Sequence, residues 1–180
     1  MLSNLIPNVI EFFPELVKAL RETLVMVSVS ALFSALLGIP LGVALVVTSE
    51  GHILAQKTVY SILSKVINIL RSIPFVILIA AIPGFTRLVV GTTIGVKGAI
   101  VPLIVACVPY MARQVEIALV KVDRGVIEAY QAMGFSPVQI IFKVILVEGL
   151  RDIVLAVTFS IIGLCLLYTS DAADDLLCVD

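Results

Sequence analysis

The uncharged run from Thr23 to Ser49 limits the possible folds of this chain more than any other feature. It contains "LVMVSVSALFSALLGIPLGVALVV", which is longer than the roughly 20 apolar residues a helix needs to cross a bilayer. The rest of the chain has a similar character, since 61% of its 180 residues are hydrophobic and only 14% are charged. Soluble domains are about 45–50% apolar and about 25% charged. The sequence therefore predicts an all-α, polytopic transmembrane helical bundle.

Further apolar segments predict the other spans of this bundle. Span two covers roughly 60–83, after a polar loop at 50–65, and carries Arg71 near one end. Span three covers roughly 94–112, and the charged segment 113–152 is expected outside the bilayer. Span four begins near Ile153, which makes three complete spans and a fourth that is cut short. Prolines are expected to break all three complete spans: Pro40, Pro74, Pro102 and Pro109.

The chain divides into three predicted regions. Residues 1–22 mix charged side chains and prolines with bulky apolar ones and are interpreted as an interfacial segment. Residues 23–163 form the transmembrane domain. Residues 164–180, "LCLLYTSDAADDLLCVD", change character and resemble translated adapter sequence joined to a shortened gene. They are therefore predicted to be non-native, with a genuine acidic tail as the alternative.

Basic residues predict the orientation of the spans. With segment 113–152 in the cytoplasm, eight basic residues lie inside: Lys57, Lys65, Arg71, Arg113, Lys121, Arg124, Lys143 and Arg151. Four lie outside: Lys18, Arg21, Arg87 and Lys97. The positive-inside rule then favours an external N-terminus.

Small residues recur every four positions in span one, at Ser30, Ser34, Gly38 and Gly42. This spacing lets two helix backbones approach closely in lipid, so these residues are predicted to pack against another helix. Chance in a helix rich in small residues is the alternative.

The segment 123–146, here called the elbow, carries local signals for two short helices joined by a sharp turn. Asp123 is placed to cap the first helix, and Gly134 fits the left-handed position that ends it. Ser136 and Gln139 form a capping box around Pro137, the first residue of the second helix. Around that cap, Phe135 and Ile140 stand at the positions of a hydrophobic staple.

An apolar stripe on the elbow needs a covering surface. Val126, Ile127, Tyr130 and Met133 recur at helical spacing on the first helix. One interpretation is a docking surface for a soluble partner. The alternative is that the stripe packs on the chain's own spans or lies in the headgroup layer.

The elbow resembles the coupling motif of permeases of ATP-binding-cassette importers, which combines Glu-Ala-Ala, a glycine and Ile-x-Leu-Pro. Glu128, Ala129, Gly134 and Leu146 match in register. The chain departs from the motif with Tyr130, Val144 and Val147, and the last replaces the proline that ends the second helix. Two other segments, 71–95 and 99–116, resemble the methionine-uptake branch of the same family.

The resemblance implies an importer with two identical permeases, two cytoplasmic ATPases and an external methionine-binding lipoprotein, in the bacterial cytoplasmic membrane. The elbow would then bind the ATPase through these residues: Ile127, Glu128, Ala129, Tyr130, Met133, Gly134, Phe135, Ser136 and Pro137. Import of another small solute is the first alternative, and a membrane scaffold that transports nothing is the second.

Catalytic and cofactor signals are missing from the sequence. There is no G-x-x-x-x-G-K-[ST] motif, so ATP hydrolysis is expected from a separate subunit. The chain has one histidine and no metal-binding cysteine spacing, so neither a metal site nor a cofactor is expected. Arg71 is open to two interpretations, a functional charge inside the membrane or a side chain that reaches the cytoplasmic interface.

Overall fold

The computed structural model describes the backbone of residues 5–177 and the side chains of residues 13–15 and 17–166. This part of the chain is helical and contains no strand. The α-helices are α1 (Leu5–Thr48), α2 (Lys57–Ser72), α3 (Phe75–Ala81), α4 (Pro83–Val90), α5 (Gly95–Leu119), α6 (Arg124–Ala132), α7 (Pro137–Ile140), α8 (Leu146–Glu148) and α9 (Leu150–Leu177). A π-helical turn, Ile141–Ile145, joins α7 to α8.

Two helices among the described residues are long and apolar enough to cross a membrane, Phe13–Thr48 and Gly95–Leu119. A third span exists if α2 and α3, which meet at an angle of 95°, count as one broken span. The three complete spans of the sequence analysis correspond to these segments. The boundary expected after residue 22 is not marked in the backbone, because α1 continues through it without interruption. Residues 1–4 of the predicted interfacial segment lie outside the described residues.

Only one of the expected proline breaks is present. Pro74 follows Ile73, which is extended (φ −79°, ψ 119°), because proline disfavours the helical conformation of the preceding residue. The predicted breaks at Pro40, Pro102 and Pro109 are wrong, since α1 and α5 run through them. Tight packing of these two helices on each other keeps the backbone helical there. The predicted loop at 50–65 is also too long, because α2 begins at Lys57.

The core forms around the pair α1 and α5. Helix α9 packs on both α5 and α1, and α2 lies against α5 as well. The largest buried cluster includes Val46 of α1, Met111 and Val115 of α5, and Ile127 and Ile145 of the elbow. The elbow is therefore part of the main core and does not hang from it by a flexible tether.

Helix α5 extends seven residues beyond the predicted end of span three at 112 and reaches Leu119. This places the charged residues Arg113 and Glu116 within the helix. Glu116 is only 6% exposed. It accepts a hydrogen bond of 2.6 Å from Arg113 Nη1 and one of 3.1 Å from the hydroxyl of Tyr60 on α2. A charge is tolerated in such a place because it is paired and hydrogen-bonded.

Helix α9 begins at Leu150 and passes residue 164 without a break. Its side chains are described as far as Leu166, so most of the tail's side chains lie outside the described residues. The fourth span and the non-native origin of residues 164–180 remain predictions.

Candidate functional site

The elbow starts with a capped helix. Asp123 has an extended backbone, and its carboxylate accepts a hydrogen bond of 2.8 Å from the backbone N–H of Gly125. A side chain of this kind satisfies one of the N–H groups that the first turn of a helix leaves without a partner. The expected cap is confirmed, and α6 begins at the next residue, Arg124.

The turn after α6 is a Schellman motif centred on Gly134, whose φ is +82°. The N–H of Gly134 donates to the carbonyl of Gln131 at 2.9 Å, and the N–H of Phe135 donates to the carbonyl of Tyr130 at 3.2 Å. The rings of Tyr130 and Phe135 then meet edge to face, with centroids 5.1 Å apart. Two backbone bonds and one ring contact fix the direction in which the chain leaves α6.

The capping box at the start of α7 is also confirmed. The N–H of Ser136 donates to Oε1 of Gln139 at 3.0 Å, and the N–H of Gln139 donates to Oγ of Ser136 at 3.4 Å. Pro137 is the first helical residue. Ile140 belongs to the main cluster and is only 1% exposed, and Phe135 packs against that cluster. The turn is therefore held by bonds on both sides.

The second helix of the elbow ends without the motif's proline. It continues as the π-helical turn and α8 to Glu148, and Gly149 follows. A Cβ on Gly149 would contact the side chain of Leu119 and would lie 2.8 Å from the carbonyl oxygen of Ile145. Contact with the end of α5 thus fixes the point where the elbow joins α9.

Ile127 requires a correction to the predicted docking stripe. It is only 5% exposed and packs into the main cluster with Val115 and Ile145, so it cannot contact a partner. Tyr130 and Phe135 are half-buried against the same cluster. Apart from Met133, the apolar stripe of α6 thus faces the chain's own core, where burial removes its apolar surface from water.

A different set of side chains faces away from the core, and we call it the outer face: Met133, Val138 and Phe142, exposed at 61%, 62% and 64%. Glu128, Ala129, Gly134, Ser136 and Pro137 are exposed as well. Met133 belonged to the predicted docking residues, but Val138 and Phe142 did not. Their spacing of four residues on the second helix is the signal that could have identified them.

The predicted small-residue stripe lies between α1 and α5. Ser30 and Ser34 are fully buried. A Cβ on Gly38 would lie 2.7 Å from Cβ of Met111, and one on Gly42 would lie 2.7 Å from the carbonyl oxygen of Ala112. Glycine is therefore required here for the two backbones to approach this closely.

The loop between α1 and α2 lies beside the start of the elbow. A Cβ on Gly51 would lie 2.9 Å from Nη1 of Arg124. Burial, together with the positive charge of Arg124, lowers the pKa of His52. The loop and the elbow therefore share one end of the bundle, which agrees with the predicted placement of both on one side of the membrane.

Comparisons with known proteins address the family. Residues 34–170 match the family described as "Binding-protein-dependent transport system inner membrane component". This range contains the whole elbow, the break at Pro74 and the contacts of Gly38 and Gly42 with α5.

Similar proteins include methionine permeases from enterobacteria. The chain is 50% identical over 143 residues to the D-methionine transport system permease protein MetI of Yersinia pestis, which covers 79% of this chain and 66% of that protein. It is 48% identical over 149 residues to MetI of Escherichia coli K12, which covers 83% of this chain and 69% of that protein.

A solved structure gives the same result for the fold. The structure described as "Inward facing conformations of the MetNI methionine ABC transporter" (CY5 SeMet soak crystal form) matches with a TM-score of 0.88 at 44% identity. The match covers 91% of this chain and 76% of that one. The chain spans roughly two thirds of the length of the curated relatives described above. On its sequence and its fold, this chain belongs to the family of binding-protein-dependent transport system inner membrane components.

Proposed function

We propose that this chain is the transmembrane permease subunit of an ATP-driven importer that moves methionine inward across the bacterial inner membrane. The observation that supports the proposal most is the 48–50% identity to proteins named as methionine permeases, over about four fifths of the chain. In this proposal the chain is not an enzyme, and a separate cytoplasmic subunit hydrolyses ATP. Its role is to form the path and to change shape when the ATPase acts.

The elbow is the proposed contact with that ATPase. Met133, Val138 and Phe142 of the outer face, with Glu128 and Ala129 beside them, offer an exposed surface on a rigid turn. Burial of one such apolar side chain contributes about 1.5–3 kcal/mol, so three are sufficient for a stable joint. The partners that the proposal adds are a second copy of this chain and an external methionine-binding lipoprotein.

The proposed orientation places the elbow in the cytoplasm and the N-terminus outside. The loop 49–56 and the elbow occupy one end of the bundle, where Arg124, Lys121 and Lys57 also lie. Basic residues accumulate on the cytoplasmic side of membrane proteins, which supports this assignment. Single cysteines placed along the elbow test it with a membrane-impermeant thiol reagent. Labelling from outside intact cells contradicts the orientation.

Uptake by reconstituted vesicles tests the proposed function. The chain is reconstituted with the proposed ATPase and binding lipoprotein, and uptake of labelled methionine is followed with and without ATP. Unlabelled methionine should compete, whereas other amino acids should not. Competition by a different solute favours the alternative importer, and lack of ATP-dependent uptake of any amino acid contradicts the proposal.

A further inference from the structure

A cavity of about 570 Å³ lies where α2, α3, α5 and α9 meet. Its lining is mostly apolar and includes Leu78, Leu103 and Leu164. Polar groups come from Arg71, at the end of α2, and from Tyr110 and Ser160 on the facing helices. This volume is in the range of about 300–1,000 Å³ that is typical of sites for small ligands.

The cavity lies near the middle of a membrane-crossing helix. Cys107, the central residue of the 25-residue helix α5, lines it, and Tyr110 is one turn further along. The guanidinium carbon of Arg71 lies 5.7 Å from the centroid of the Tyr110 ring. Since a helix rises about 1.5 Å per residue, Arg71 lies beside a point about 13 Å from the end of α5 at Leu119. The contact with Tyr110 holds the Arg71 guanidinium beside the cavity.

Arg71 brings a positive charge into the cavity without a matching negative one. Among the described residues, the cavity lining contains no acidic side chain, and no carboxylate forms a salt bridge with Arg71. A cation beside an apolar cavity favours an anionic partner, and the planar guanidinium suits a carboxylate, which it can bind through two parallel hydrogen bonds. The Ser160 hydroxyl donates to the carbonyl of Ala156 at 2.8 Å, which leaves its oxygen free to accept.

We infer that this cavity is a binding site on the transport path for a free amino acid with an unbranched apolar side chain, with Arg71 holding its carboxylate. The leucine side chains contact the apolar part of the ligand, and the hydroxyl oxygens of Ser160 and Tyr110 accept from its ammonium group. The inference rests on the proposed function, because it takes methionine as the ligand. It adds a site in the permease itself, at a named residue.

The test compares methionine with methioninamide, which has the same side chain and ammonium group but lacks the carboxylate. The full chain is purified in lipid nanodiscs, and the dissociation constants of both compounds are measured by saturation-transfer NMR. Arg71→Gln is the main variant and Arg71→Lys, which keeps the charge, is the second. Lys65→Gln is the matched control, because Lys65 is an exposed base on the same helix that does not line the cavity.

Arg71→Gln should weaken methionine binding at least tenfold and leave methioninamide binding within a factor of two. Arg71→Lys should restore part of the loss, and Lys65→Gln should change neither constant. A purely structural role of Arg71 would weaken both compounds equally and would overturn the inference. Unchanged methionine binding in Arg71→Gln, or no saturable binding by the wild-type chain, would also overturn it. Wild-type uptake in reconstituted vesicles tests the proposed function separately, so each can fail without the other.

Discussion

Gly42→Ala tests how closely α1 and α5 approach each other. A methyl group at residue 42 would lie 2.7 Å from the carbonyl oxygen of Ala112 and 2.7 Å from Cβ of Val115. Neither atom is the free end of a flexible side chain, so the helices themselves must separate. An ordinary contact of about 3.5 Å requires a displacement of about 0.8 Å.

The expected cost follows from this displacement. Overpacking a well-packed core by one methyl group costs about 1–3 kcal/mol. Alanine in a helix recovers about 0.5–1 kcal/mol relative to glycine, which hides part of the cost. Gly84→Ala is the matched control, because Gly84 also lies in a helix and a Cβ there would meet nothing within 4 Å. We therefore expect Gly42→Ala to be less stable than Gly84→Ala by about 1–3 kcal/mol.

The measurement is the free energy of unfolding in mixed micelles, from a titration with sodium dodecyl sulfate followed by circular dichroism. Both variants and the wild-type chain are titrated under the same conditions. If Gly42→Ala is as stable as Gly84→Ala, the two backbones do not touch at this point, and the proposed packing of α1 on α5 is wrong.

The remaining predictions concern the elbow and two polar groups. Ile127→Ala should lower the free energy of unfolding by about 2–4 kcal/mol, since it leaves a cavity in the core. Met133→Ala should leave stability unchanged but reduce co-purification with the ATPase, and retained co-purification would argue against the outer face. Burial, and secondarily the charge of Arg124, lowers the pKa of His52 below its ordinary 6.5. As the pH falls, this imidazole is therefore protonated in the unfolded chain before it is protonated in the folded one. Stability should therefore fall as the pH drops below about 6.5, and His52→Gln should flatten this dependence. Glu116→Gln should destabilise the chain by about 2–3 kcal/mol in the same titration, because it leaves the partly buried Arg113 without the negative charge of its partner; no change would mean that the pair is not formed.

The turn of the elbow could be predicted from the sequence because its signals are local. Asp123, Gly134, Ser136 and Gln139 act on backbone groups no more than four residues away. Such bonds depend on residue type and spacing and hardly on the rest of the fold. The uncharged run from Thr23 to Ser49 predicted α1 for a related reason, because length and apolar composition are also local properties of the sequence.

The direction in which the elbow faces could not be predicted in this way. Periodicity placed Ile127 and Met133 on one stripe, but it does not say whether core or partner covers that stripe. The answer depends on Val115 and Ile145, which the fold brings to Ile127 from other parts of the chain. Prolines are ambiguous for a similar reason, since Pro40 is tolerated within α1 whereas Pro74 ends α2.

The glycine contact between α1 and α5 has a consequence for how the protein can move. Two helices whose backbones touch at Gly38 and Gly42 resist sliding, so they travel together as one block. The corner at Ile73 and Pro74, where the chain turns through 95°, lies outside this contact. Arg71 lies two residues before Ile73, so a change in the angle of this corner would change the space around its guanidinium group.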